Sequence, residues 1–112
     1  MTKPILDGLN IYLSFRVEIC HVSHHKSRKY HLFIREPMSN KSVTDLVGVG
    51  KVLGRRFAAR GFQEASTLFG QFLLVKKVKV LFMIWVMKKT GANMGQAKDI
   101  YQCLFDWCKE FL

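Results

Sequence analysis

Negative charge is scarce in this chain. Eight Asp and Glu face eighteen Lys and Arg over 112 residues, a formal net charge of +10. Such an imbalance favours polyanionic partners, nucleic acid first and an acidic membrane surface second, but by itself confers no specificity. Cysteine is also sparse. Cys20, Cys103 and Cys108 are too few and too oddly numbered for a disulfide framework. Cys103 and Cys108, five apart and near one helix face, read as small buried hydrophobes, and a reducing compartment, cytosol or nucleus, is expected. Long apolar runs are missing. The longest, Val80 to Met87, has eight residues, where a membrane span needs ~20. The opening "MTKPILDGLNIYLSF" is interrupted by Asp7, Gly8 and Asn10 with no small-residue cleavage site after it, so it does not read as a signal peptide. A soluble intracellular protein without membrane insertion is the expectation.

Catalytic constellations are lacking as well. No carboxylate cluster, metal-ligand spacing or nucleophile–base pair stands out, and Asp99 and Asp106, seven apart on the last helix, read as a solvated face. His21, His24 and His25 have an i, i+3, i+4 spacing with no carboxylate or thiolate grouped with them, so they read as a His-rich linker rather than a metal site. No enzyme, cofactor or metal is expected.

The length is that of one domain. Residues 1–26 show no period and read as a poorly ordered N-terminal extension. From Ser27 the pattern is helical. Tyr30, Phe33 and Ile34 repeat at i, i+3, i+4, and Glu36-Pro37 closes that segment. Ser42 with Asp45 resembles a capping box opening a short helix through Leu46. A second helix runs from about Gly50 to Arg60 with Gly61 as its C′ residue. Roughly Gln63 to Val75 follows, with Ala65, Leu68, Phe69, Phe72 and Leu73 on one side, then Val78 to Lys89 and the turn "TGAN". The last helix carries Ala97, Ile100, Tyr101, Leu104, Cys108 and Phe111 in one stripe, with Trp107 beside it. No period-two alternation is long enough for a sheet. The expected fold is all-α, a compact bundle of five to six short helices.

Within it, "DLVGVGKVLGRRFAARGF" (Asp45 to Phe62) is a helix–turn–helix with two glycines one residue apart. Gly48 and Gly50 let the backbone take positive φ and approach a ligand closely. The helix after them begins with N–H groups lacking intrahelical partners, and these, with the positive end of the helix dipole, suit a phosphate. Val49 plugs the turn, and Lys51, Arg55 and Arg56 add charge. The bland reading, a loop between core helices with solvated charges, accounts for "GVG" alone equally well. No strand precedes it and no third glycine follows at dinucleotide-site spacing, so it is neither that fingerprint nor a P-loop. Together with +10 and an all-α chain, it fits a helix–hairpin–helix, at about 43–60, that reads the DNA backbone without regard to sequence.

"FIREPMSNKSVTDLVGVGKVLGRRFAARGFQEASTLFGQFLLVKK" and "GANMGQAKDIYQCLFDWCKEFL" closely resemble the barrier-to-autointegration factor family, over about Ser27 to Leu112. "EPM", "GQFL", "GAN" and the closing "CL..WC..FL" carry the resemblance more specifically than the glycine turn. It implies a small SAM-domain-like helical homodimer that binds double-stranded DNA without sequence preference. One helix–hairpin–helix per protomer, on opposite sides of the dimer, bridges two duplexes. It also implies partners among LEM-domain proteins and lamins, residence in nucleus and cytoplasm at chromatin and the nuclear envelope, and no enzymatic activity or cofactor.

By the same resemblance the DNA-contacting positions are Arg28, Lys29, Gly48, Val49, Gly50, Val52, Leu53, Arg56, Asn93, Met94, Gln96 and Lys98, and the dimer contacts lie around Phe62, Leu68, Gly70 and Phe72 with the C-terminal helix. The chain departs from the family where Gly95 replaces a contacting lysine, Met94 a small alanine and Arg35 another alanine. It also departs along Val78, Lys79, Val80, Met83, Ile84 and Met87, acidic or otherwise charged in the family and apolar or basic here. Leu81, Phe82 and Trp85 keep the core pattern. That helix face supports an alternative function: a non-bridging interaction protein that heterodimerises with or modulates a family member through Met83, Ile84 and Met87. An enzyme anchored by a helix–hairpin–helix, such as a glycosylase or nuclease, lacks its catalytic residues.

Overall fold

A computed structural model describes residues 27–112. The readings of residues 1–26 as an extension, of Cys20, and of His21, His24 and His25 lie outside the described residues. Helix α1 (Arg28–Arg35) starts where the Ser27 hydroxyl accepts the Tyr30 N–H at 3.1 Å and stops at Glu36, whose ψ of 150° is the extended conformation that Pro37 imposes on it. The Ser42–Asp45 capping box is present, Ser42 Oγ accepting from the Thr44 N–H and the Asp45 carboxylate from the Ser42 N–H, each at 3.1 Å. The short helix expected there is a single 3₁₀ turn, Val43–Asp45, and Leu46 is already extended. Then come α2 (Lys51–Ala59), α3 (Ala65–Leu74), α4 (Lys79–Thr90) and α5 (Met94–Phe111). Gly61 (φ 88°) and Gly91 (φ 73°) end α2 and α4 in backbone conformations that favour glycine. Asn93 and Gln96 open α5 with a reciprocal box, at 2.8 and 2.9 Å. Among the described residues the extended structure is one isolated bridge, Ser42 to Glu64. The domain is all-α, and no described helix is long and apolar enough to cross a membrane.

Helix α5 is the spine, with α1 and α4 packed along it. Phe33, Phe57, Phe72, Phe82, Leu46, Leu68, Ile100 and Leu104 have essentially no exposed surface, each Phe or Leu contributing about 1.5–3 kcal/mol by leaving water. Phe72 binds the layers together, its ring 5.7 Å from Phe82 and 5.5 Å from Tyr101. Tyr101 also donates its hydroxyl to the Lys77 carbonyl at 2.7 Å, holding a connector in which Lys76 (φ 58°) and Lys77 (φ 63°) are both left-handed. Trp107 Nε1 donates to the Glu36 carbonyl at 3.0 Å and so fixes the end of α1 to α5.

Several expectations are corrected by this packing. Leu73, placed on the inner side of its helix, is 42% exposed, and Phe111 lies outside the core at the end of α5. In α4, Met83 is wholly buried, Val80 nearly so, and Ile84 and Met87 pack partly against the core. The apolar partner face proposed from Met83, Ile84 and Met87 is therefore largely interior. Leu81, expected inside, is half exposed; with Leu73, Leu74 and Val78 it makes the exposed apolar surface of the α3–α4 junction. Helical periodicity alone misplaced the stripe because nearly every α4 residue from Val80 to Met87 is apolar and leaves it without phase. Asp106 is not on a solvated face. It is buried, accepting the Tyr30 hydroxyl and the Gln102 amide (2.9 Å), with Lys109 3.9 Å away. Cys103 and Cys108 are free and buried as expected, and burial pushes the Cys103 thiol up to about 12.

Tyr30→Phe removes the hydroxyl that a buried carboxylate accepts, across 76 residues of sequence. The variant is expected to lose about 1–3 kcal/mol of stability, measured by urea unfolding, with the helical circular dichroism of the folded state unchanged.

Candidate nucleic-acid interface

The hairpin is built from the inside outward. Val49 is buried as the plug, its N–H donating to the Leu46 carbonyl at 3.1 Å. Gly48 has φ 93°, and a Cβ placed there would come within 2.8 Å of the Gln96 carbonyl oxygen, 3.2 Å of Ile100 Cγ1 and 3.3 Å of Asp99 Cβ. Only glycine allows the turn to lie this close on the first turns of α5. Gly50 differs from its neighbour. Its φ of −97° is ordinary, and nothing lies within 4 Å of where its Cβ would be. Positive φ is thus needed at one glycine, and open space for a ligand exists at the other.

The ladder of α2 begins with the Gly54 N–H donating to the Gly50 carbonyl at 2.8 Å. That leaves the N–H groups of Lys51, Val52 and Leu53 without intrahelical acceptors. Gly50, the N-cap, supplies no side chain, and the first turn holds no acidic residue. Instead it starts with exposed Lys51, a cation at the positive end of the dipole, a placement disfavoured by about 0.3–1 kcal/mol unless an anion is present. Helices α3 and α4 also start without a side-chain cap. The start of α2 is set apart by the bare, open Gly50 and by the cations gathered around it. Lys29 Nζ reaches from α1 to the Val49 carbonyl at 2.9 Å, bringing the start of α1 to the turn.

Three segments distant in sequence therefore meet: the start of α1, the hairpin and the first turn of α5. Arg28, Lys29 and Val52 are exposed there. Val49 and Leu53 are buried, so they present only backbone. Asn93 is exposed and Gln96 half-buried, each side chain already holding the other's N–H in the capping box. Met94 packs partly against the core, and Gly95 adds no side chain. Two residues depart from the expected grouping. Lys98 is only 8% exposed and lies about 200° around α5 from both Gln96 and Ile100, the residues that face Gly48, so it is turned away from the hairpin. Arg56 is exposed, but its Nη1 donates to the Thr90 carbonyl at 2.8 Å and fastens α2 to the end of α4. Asp99, expected to be solvated, is exposed yet flanks the turn, and partial desolvation raises its carboxyl pKa.

Of the expected dimer contacts, Leu68 and Phe72 are fully buried within the protomer and have no surface to offer a partner. Phe62 and Gly70 are half-buried, the Phe62 ring standing edge-on to Trp85 at 5.0 Å.

Residues 24–111 match a family model described as barrier to autointegration factor. Among curated proteins, the chain is 49% identical to barrier-to-autointegration factor of Drosophila melanogaster over 86 residues, 77% of this chain and 96% of that protein. It is 45% identical to the Danio rerio protein, with the same coverage of both chains, and 44% identical to the Homo sapiens protein, covering 77% of this chain and 97% of the relative.

Gly48→Ala combines backbone strain with a steric clash against α5 and is expected to cost about 2–4 kcal/mol, read from chemical denaturation. Gly50→Ala should cost less than about 1 kcal/mol. Equal losses at the two positions would contradict the different roles assigned to them.

Proposed function

The chain belongs to the barrier-to-autointegration factor family, and from that premise we propose that it binds double-stranded DNA without sequence preference through the hairpin and, as a homodimer, bridges two duplexes. The observation that carries this reading is the start of α2. Unpaired backbone N–H groups open onto the space at Gly50, with Lys51 at the first position and no carboxylate in that turn. A phosphate there meets backbone donors and the helix dipole, and neutralises the charge repulsion that Lys51 introduces. Contacts of this kind reach no base edge, which accounts for binding indifferent to sequence. Lys29 stands beside the turn to meet an adjacent phosphate.

Self-association is supported by the apolar surface at the α3–α4 junction, where Leu74 is 75% exposed beside Leu73, Val78 and Leu81. A monomer rarely leaves such a group of large side chains in water without a partner. Family membership supports a place at chromatin in the nucleus, and makes LEM-domain proteins and lamins candidate partners. The alternative, heterodimerisation through Met83, Ile84 and Met87, loses its surface because Met83 is buried.

Gly50→Glu tests the hairpin without disturbing the fold, since the new side chain enters open space and sets a carboxylate where the phosphate would sit. With purified full chain, one tethered duplex and a second in solution, the wild-type protein should capture the second duplex. Affinity should fall by ~10³ or more between 50 and 200 mM salt if six or more phosphates are contacted. Gly50→Glu should lose both binding and capture while keeping its unfolding midpoint within about 1 kcal/mol of wild type. Binding by Gly50→Glu at wild-type strength would refute the hairpin.

A further inference from the structure

Ten Lys and Arg but a single carboxylate, Glu64, lie between Leu46 and Lys98. The fold collects part of this excess in one place. Arg56 Nη1 is bonded to the Thr90 carbonyl, and a Cβ on Gly91 would lie 3.2 Å from the same Nη1, so the middle of α2 sits against the C-terminal end of α4. The last turn of α4 carries Lys88 and Lys89, both exposed, and Arg60 stands exposed at the end of α2. Neither helix contains an acidic residue. Glu64 is held elsewhere. Its bridge to Ser42 puts it beside the 3₁₀ turn, on the side of α2 marked by Gly54, whose Cβ would meet Thr44 Cγ2. Arg56 is two residues from Gly54, about 200° around the helix.

A helix C-terminus favours a nearby cation, but here Arg56 already occupies the Thr90 carbonyl. Lys88 and Lys89 therefore add positive charge beyond what the end of α4 requires, with no carboxylate on either helix to balance it. This surface is continuous with the hairpin. Val52, Arg56 and Arg60 follow one another at i, i+4, i+8 down one side of α2, and Gly91 and Ala92 lead from α4 into Asn93 at the start of α5. From Gly50 to Arg60 the track is about 15 Å long, the axial reach of about four successive phosphates on one strand.

We infer that the duplex seated at the hairpin continues along the Arg56 side of α2 and across the C-terminal end of α4, where Arg60, Lys88 and Lys89 contact its phosphates. This rests on the hairpin reading above and enlarges its footprint. The track is not a second site. The occupant is the same duplex, because the surface is linear, cationic and directly joined to the start of α2.

The test is the salt dependence of the full chain's affinity for a short duplex, compared for wild type, Lys88→Gln/Lys89→Gln and Arg60→Gln. The charge-matched control is Lys76→Gln/Lys77→Gln, at the opposite end of α4, about 18 Å away along a twelve-residue helix. The double variant at 88 and 89 should reduce the slope of log K against log salt by about 1.8, and Arg60→Gln by about 0.9, with the control close to wild type. Equal slope losses in the two double variants would mean a net-charge effect and overturn the inference, as would an unchanged slope at 88 and 89. Gly50→Glu separates the two readings. If it abolishes binding while the 88 and 89 variant behaves as wild type, the hairpin stands and the track fails. If it binds normally while the 88 and 89 variant does not, the hairpin reading fails and the continuation falls with it.

Discussion

The contact on which the architecture of the site depends is that of Gly48 with the first turns of α5. At φ 93° and with room for only a hydrogen where a Cβ would meet the Gln96 carbonyl at 2.8 Å, this residue presses the turn against the long central helix. Consequences spread in two directions. Inward, Val49 and Leu53 drop into the core and anchor the turn. Outward, Gly50 and the first N–H groups of α2 are left on the surface, with Lys29 drawn in through the Val49 carbonyl. A rigid donor array at a helix start loses little freedom when it meets an anion, which is how a few backbone contacts become effective. The same contact aligns α2 so that Arg56 reaches the end of α4.

Local signals in the sequence were legible where the physics is local. Caps set within four residues, Ser42 with Asp45 and Asn93 with Gln96, and the glycines ending α2 and α4 mark boundaries because their hydrogen bonds and φ angles are satisfied nearby. The charge excess was legible from composition, and the resemblance pointed to the hairpin. What was not legible depends on which side of a helix meets which neighbour. Met83 and Leu81 differ by two residues in a run that is apolar throughout, so only the packing of α4 on α5 decides that one is buried and the other exposed. Lys98 stands two residues from Gln96, on the opposite side of α5, a consequence of helical geometry that a column of matching residues conceals. Long-range polar links, Tyr30 to Asp106 and Arg56 to Thr90, leave no mark in the sequence because the partners are 76 and 34 residues apart.

The two glycines also divide stability from binding. Gly48 is needed by the fold, and Gly50 is free to serve a ligand. Likewise the cations fall into those with structural partners and those without a printed one: Arg56 and Lys29 each hold a backbone carbonyl, while Lys51, Lys88 and Lys89 stand exposed. Carboxylates are kept to the opposite tasks, Asp45 and Asp106 closing a cap and a buried hydrogen-bond pair. A protein arranged this way places most of its uncompensated charge along α2 and the end of α4, where a polyanion relieves it.

The central claim is that a phosphate is bound by the backbone at the start of α2. The most direct measurement is a titration of the ¹⁵N-labelled full chain with two short duplexes of unrelated sequence, following the amide resonances of Gly50, Lys51, Val52 and Leu53. The account predicts that these amides shift strongly, saturate together and move identically with both duplexes. Unmoved amides at these four positions, with shifts confined to lysine and arginine side chains elsewhere, would contradict it.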